Sequence, residues 1–273
     1  MSNVRQVVDE IDWNQVWRER GVYPHSADKW DSRVASFSEH AIDSRYAADF
    51  MDFLQPQADW TVFDMGCGSG TLALPLAKRV KAVTAADFAP KMLDALMQYA
   101  RERALTNITT LKMSWTDDWS SLPDKFFDIS IASRSMLVND FSAAAAKLIK
   151  ITSGRIYLAL PVMAALHHDL MYQALGRRSR MIPDYLCCYN ILYQMGIRAN
   201  IHILTDNSYK IYKTRAEAVE ALSERYLPEL ESAEICCLKD YIDRKLVDDA
   251  GVWRRVNQPP YQCAVIWWES GKR

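Results

Sequence analysis

The chain has 273 residues, of which 49% are apolar and 11% aromatic, enough to bury a sizeable core and too apolar for an intrinsically disordered chain. Lys and Arg number 33 against 34 Asp and Glu, a formal charge of −1, so no global field draws the protein to nucleic acid or to an anionic membrane, and such a partner would need a local patch. Arg5, Asp9, Glu10 and Asp12 interrupt the opening Met1–Trp13 stretch, which excludes the apolar core of a secretory signal there, and no segment approaches ~20 uninterrupted apolar residues, so a cytoplasmic protein without a membrane span is expected.

In chain order, Val4–Leu54 reads as helical segments rich in Trp and Tyr, broken by the Gly21–Pro24 turn and placed to cover the mouth of a sheet. Short apolar runs then alternate with helical segments. The runs are Thr61–Met65, Ala82–Ala86, Ile108–Lys112, Ile129–Ala132 and Ile156–Leu160; the helices are Leu72–Val80, Pro90–Ala104 and Phe141–Ile151, with Gly154 read as the stop of the last. Alternation of this kind marks successive βαβ units and a parallel sheet. Beyond it, Met163–Gly196 is rich in Met, Tyr and Cys with helical character, Ile201–Leu204 and Tyr209–Tyr212 read as short strands, Glu217–Tyr226 and Lys239–Val247 as helices, and Cys263–Trp268 as a final strand. The expectation is one domain over residues 1–273: an N-terminal helical cover over 1–54, a core over 55–162, a cap over 163–200 following the fifth strand, and completion of the sheet over 201–273.

The strongest chemical signal is Val62-Phe63-Asp64-Met65-Gly66-Cys67-Gly68-Ser69-Gly70, an apolar strand running into a glycine turn that opens a helix. Alternate glycines permit a tight turn and close approach of a ligand to the backbone, and the following helix offers free N–H groups. Dinucleotide-binding proteins use a related turn, but Thr71 stands where their fingerprint has its third glycine, and Asp64 precedes the first glycine by two residues. That carboxylate would repel a pyrophosphate and could attract, directly or through water, the ammonium of a methionine moiety. S-adenosylmethionine carries that ammonium and no phosphate. Asp87 closes the second strand 21 residues after Gly66, where doubly wound folds place an acid against ribose hydroxyls, with the Phe88 ring beside the sugar; the plainer role for Asp87 is a helix cap ahead of Pro90.

Together, the run Asp64–Gly70, Asp87 and a later acidic segment resemble the first three motifs of the class I S-adenosylmethionine-dependent methyltransferases, over roughly Phe37–Pro161. The resemblance implies an α/β fold, a doubly wound Rossmann-like seven-stranded sheet, with S-adenosyl-L-methionine as methyl donor. It also implies cofactor contacts at Asp64, Gly66, Cys67, Gly68, Gly70, Asp87 and Phe88. In the segment after the third strand, Trp115 or Thr116 would line the adenine and Asp117 could accept from its exocyclic amine, whereas a solvated turn is the plainer role for Asp117 and Asp118. After the fourth strand, Ser133 joins the cofactor contacts and Ser133–Leu137 is where the family exposes the methyl group to its acceptor. No N-P-P-Y stands there; Asn257-Gln258-Pro259-Pro260-Tyr261 has the wrong spacing and place and reads as a proline turn entering a strand.

Transfer from a sulfonium is an in-line displacement on an activated donor, so the protein mainly aligns and excludes water and needs no metal in principle. His167 and His168 are sequence neighbours that diverge on a helix, and the six cysteines, Cys67, Cys187, Cys188, Cys236, Cys237 and Cys263, lack metal or dithiol spacing. Convergence of cysteines for arsenite methylation is disfavoured because Cys67 is committed to the glycine turn. The acceptor is expected to be a small molecule, reached from His25, Arg33 and Phe37 of the cover and His168, Tyr172 and Arg177 of the cap, each with a surface or packing role as the alternative. Arg177-Arg178-Ser179-Arg180 reads as a solvated face rather than a nucleic-acid footprint. A non-catalytic S-adenosylmethionine-binding protein and a nicotinamide-dependent oxidoreductase are the rival functions, since the motifs describe binding and not turnover.

Overall fold

The computed structural model describes residues 8–19, 26–31, 34, 44–136, 138–162, 174–176, 184–206, 211–224, 230–256 and 260–271. These form two compact units, one drawn from Met1–Val162, Pro183–Leu204 and Cys263–Arg273, the other from Met163–Ile182 and Thr205–Gln262.

In the first unit the strands are β1 Thr61–Met65, β2 Ala82–Asp87, β3 Ile108–Lys112, β4 Phe127–Ser133 and β5 Thr152–Pro161, followed by β6 Asn200–Asp206 and the last strand of the chain, β9 Tyr261–Glu269. They build a seven-stranded sheet in the order β3-β2-β1-β4-β5-β9-β6. β1 to β5 are parallel, with Thr61 opposite Ala82 and Val62 opposite Ile129, while β9 runs antiparallel to β5, placing Cys263 opposite Pro161. The order reverses between β1 and β4, the crevice at which open α/β sheets hold ligands beyond their carboxyl ends.

Helices α1 Trp13–Glu19, α2 Ala27–Asp31, α3 Arg45–Leu54, α4 Ala73–Ala77, α5 Pro90–Glu102, α6 Phe141–Ile151 and α7 Tyr185–Gln194 belong to this unit. α4 and α5 pack on β2, α6 on β5, and α1 and α7 on each other and on α6. α5 opens on Pro90, whose missing N–H costs nothing in a first turn; α6 opens on Asp140, whose side chain accepts from Ala143 N at 2.9 Å. The expected cover is partly core. Trp17 of α1 is buried, packs at a tilt against Phe141 with ring centroids 5.3 Å apart, and donates from Nε1 to Val138 O at 2.6 Å.

Several expectations are corrected. Gly154 does not stop α6; it lies inside β5, where a Cβ would collide with Asp128 O, and the helix ends as Thr152 turns extended. Helix α4 spans only Ala73–Ala77. Within the stretch 163–200, one face of α7 is core: it buries Cys187, Cys188, Ile191 and Leu192 among Trp17, Phe141 and Leu148, while Leu186 stays exposed. Another correction falls in the second unit, where α8 Arg215–Ser223 and α9 Ser232–Arg244 pack together with a hairpin, β7 Leu246–Asp249 and β8 Val252–Arg255. Leu246 and Val247, expected as helix, are strand because Ala250 and Gly251 both take positive φ and turn the chain back on itself, with Gly251 N held by Asp248 Oδ1 at 2.8 Å. Tyr212 makes an isolated bridge to Trp253 rather than a strand. Residues 207–210 and 257–259 lie outside the described residues.

Candidate functional site

Beyond the carboxyl ends of β1, β2 and β4 lies a cavity of about 490 Å³. The glycine turn forms its floor. Gly66, Gly68 and Gly70 all take positive φ, so three reversals fit into five residues. Their N–H groups are already spent: Gly66 and Cys67 donate to Ala86 O, Gly68 to Asp87 Oδ2 at 2.9 Å, and Gly70 to Cys67 O. The glycine and Cys67 N–H groups thus bond the turn to itself and to the end of β2. Ligands do not fill the space that all the glycines vacate. A Cβ on Gly66 would strike Ser135, whose Oγ donates to Met65 O at 2.6 Å, and one on Gly70 would strike Leu96 and Leu74.

Two carboxylates face the cavity. Asp64 is 2% exposed and its Oδ2 has no hydrogen-bond partner; burial, then the nearby Asp87 charge, pushes its carboxyl from 3.8 up to about 7. Asp87 is also raised by burial, but N–H groups of Ala89 and Gly68 hold its two oxygens and oppose that shift. The helix-cap role does not apply to it, because the N-cap of α5 is Ala89, with no side-chain cap bond. Burial raises the Cys67 thiol well above its ordinary value, leaving a neutral wall group.

The far wall is the loop after β3. Trp115 stacks with Trp119 at 5.3 Å and donates from Nε1 to Ser135 O at 2.9 Å. Lys147 of α6 clamps the loop from behind, donating from Nζ to Trp115 O and Asp117 O, both at 2.7 Å. Ser114, Trp115 and Thr116 reach the cavity. Asp117 does not: its carboxylate accepts from Ser114 N and Ser114 Oγ at 2.8 and 3.0 Å. Asp118 likewise closes a turn on Ser120 N.

The roof comes from α2 through Ser26, Ala27 and Trp30. Asp31 fixes that helix by accepting from Lys91 N at 3.0 Å, at the start of α5. The β4 exit supplies Ser133, Arg134 and Ser135.

Of the residues expected at the site, Asp64, Gly66, Cys67, Gly68, Asp87, Phe88, Trp115, Thr116 and Ser133 come together on the wall, while Gly70 and Asp117 support it from outside. Sequence reasoning missed Thr71, Leu72 and Met92, and it expected a helical cover here without singling out Ser26, Ala27 or Trp30. The first two follow the glycine turn directly and Met92 lies in the first turn of α5, so proximity to the motifs was their only signal. His25, Arg33, Phe37, His168, Tyr172 and Arg177 lie outside the described residues.

Residues 62–153 match the family described as a methyltransferase domain. The chain is 32% identical to an uncharacterized protein of Haemophilus influenzae over 88% of each chain. It is 31% identical, over 42% of this chain and 54% of the other, to aklanonic acid methyltransferase of a Streptomyces species. A shorter stretch, 30% of this chain and 18% of the relative, is 28% identical to a 23S rRNA (uracil-C5) methyltransferase of Pectobacterium atrosepticum. In fold it resembles a Bacillus halodurans protein regarded as a methyltransferase, with a TM-score of 0.57 at 12% identity, covering 83% of this chain and 99% of that one. No described helix is long and apolar enough to cross a membrane.

Proposed function

We propose that this chain, which belongs to the class I S-adenosylmethionine-dependent methyltransferases, passes the methyl group to a small organic molecule admitted beside the β4 exit. The observation that carries the reading is the roofed cavity itself, whose volume of about 490 Å³ lies in the range of small-molecule sites and whose walls are mainly Trp30, Met65, Leu72, Phe88, Met92 and Trp115. A nucleic-acid acceptor would need an open basic approach, and the net charge of −1 argues against one. The longer match to an enzyme named for a small acid, against the short one to an RNA enzyme, supports the same choice.

The donor site is tested by one feature of this chain: a buried carboxylate oxygen on Asp64 with no partner suits an ammonium group. Asp64 would hold the methionine ammonium. Asp87, with its oxygens oriented by the Gly68 and Ala89 N–H groups, would accept from ribose hydroxyls. Phe88, Trp115 and Thr116 would enclose sugar and base, with Gly66, Cys67, Gly68 and Ser133 as backbone and side-chain walls. The bound donor supplies a methyl carbon on a sulfonium, open to in-line displacement. The chain's part is to orient both partners and, through the α2 roof, to keep water out.

The test is formation of S-adenosylhomocysteine by the purified protein with donor and a low-mass ultrafiltrate of a metabolite extract. Turnover with the ultrafiltrate is the expected result. Turnover only with the macromolecular retentate, lost after nuclease, would replace the small acceptor with nucleic acid; donor binding without any turnover would mark a binding protein.

A further inference from the structure

Arg134 is half-buried on the cavity wall, and no carboxylate of a described residue lies within 4.0 Å of its guanidinium. It rests instead on the Tyr46 ring, 4.3 Å from the centroid, and that ring is fixed by a 2.7 Å hydrogen bond between Tyr46 Oη and Ser133 Oγ. The nearby Cys263 provides no counter-charge, since burial pushes its thiol up to about 11 in spite of Arg134 and Tyr46. A guanidinium cannot shed its proton, and a ring face neutralises nothing. Among the described residues nothing neutralises the charge.

The backbone makes the same point. Arg134 takes φ +56, a conformation that side chains other than glycine adopt at a cost. Its N–H donates to Ala159 O at 2.8 Å, and Ser135 is locked onto Met65 O, so the flanks hold the strained residue in place. Strain held by its surroundings at a cavity wall is the signature of a positioned functional residue. Topology assigns the side. Apart from Ser133 at the end of β4, the residues that suit the donor lie on β1, β2, the turns that follow them and the loop after β3, whereas Arg134 leaves β4 toward β5, in the opposite half of the order β3-β2-β1-β4-β5.

We propose that Arg134, seated on Tyr46 at the β4 exit, holds an anionic oxygen group of the methyl acceptor, so that the acceptor is an organic anion, a carboxylate or a phosphate ester. A guanidinium fork is matched to either group. The inference rests on the small-molecule reading above.

The experiment divides the low-mass ultrafiltrate by anion exchange and measures S-adenosylhomocysteine formation by wild type, Arg134→Gln and Arg134→Lys, with calorimetry of S-adenosylhomocysteine binding to each. The retained, anionic fraction supports turnover; Arg134→Gln loses about tenfold or more there, Arg134→Lys recovers part of it, and product affinity stays within about threefold. Phosphatase treatment abolishes the activity of a phosphate ester and spares that of a carboxylate. Turnover confined to the unretained fraction, or an Arg134→Gln enzyme equal to wild type, overturns the inference while the methyltransferase reading stands. A tenfold loss of product binding in Arg134→Gln overturns it too, by placing Arg134 on the donor's own carboxylate. Silence of wild type with both fractions overturns the small-acceptor reading on which it rests.

Discussion

Replacing Asp64 by asparagine tests the donor site and a cost built into the fold together. The Asp64 carboxyl titrates near 7 in the folded protein against 3.8 ordinarily, first because it is buried and second because Asp87 is close. At about 1.4 kcal/mol per pH unit, ionising it in the fold is penalised by up to about 4 kcal/mol. The sign follows from proton counts. Below 3.8 both folded and unfolded chains hold the proton; between 3.8 and about 7 only the folded chain does, so stability falls as pH rises through that window and is flat above it. The asparagine side chain carries no charge, so the Asp64→Asn variant should lack that slope and at pH 8 should be more stable than wild type by up to about 4 kcal/mol. Denaturant midpoints from pH 4 to pH 8, with m-values checked for constancy, measure this. Ligand affinity should move the other way: wild type should bind S-adenosylhomocysteine more tightly as pH rises through about 7 and Asp64 ionises, whereas Asp64→Asn should bind more weakly, by about 1–3 kcal/mol, with that pH dependence gone. Parallel stability profiles for the two proteins would refute the burial argument; unchanged affinity would refute the ammonium contact.

Asp87→Ala should weaken S-adenosylhomocysteine binding by about 1–3 kcal/mol in calorimetry, because it removes a wall carboxylate and frees the Gly68 N–H that it holds at 2.9 Å. Lys147→Met leaves every wall residue in place but releases the carbonyls of Trp115 and Asp117; a several-fold loss of affinity with tryptophan fluorescence altered in the unliganded protein is expected, and unchanged binding would show that the loop holds itself. Gly70→Ala should cost about 1–3 kcal/mol of stability in thermal melts, through the clash with Leu96 and Leu74 and the positive φ. Asp140→Ala removes the cap of α6 and its bonds to Asn14 and Arg18, and should cost about 0.5–2 kcal/mol in denaturant titration near neutral pH. Burial opposes its ionisation, but those partners hold the Asp140 carboxyl down at about 2, so its contribution should persist above the ordinary 3.8 and fade only as pH falls toward 2.

The five parallel strands of the α/β sheet were legible in the alternation of apolar runs and helical segments from Thr61 to Leu160, because strands buried on both faces must be continuously apolar. Asp64, the alternate glycines and Asp87 were legible for a related reason: a turn this tight admits few residue types, and two acids spaced across one βαβ unit meet at the same sheet edge. Tertiary structure decided the rest. Which atoms fill the space vacated by Gly66 and Gly70 depends on Ser135 and Leu96, remote in sequence. Asp117 was chosen by position, but its oxygens satisfied the local N–H and hydroxyl of Ser114 first, as short acidic side chains in turns do. Trp17 became core because Val138 O was there to take its N–H, and Trp30 became roof because Asp31 latched onto the start of α5. Nothing local to Arg134 marks it out. The lack of an acid partner among the described residues, the ring beneath it and its strained φ are long-range facts, created only when β4, α3 and β5 are brought together.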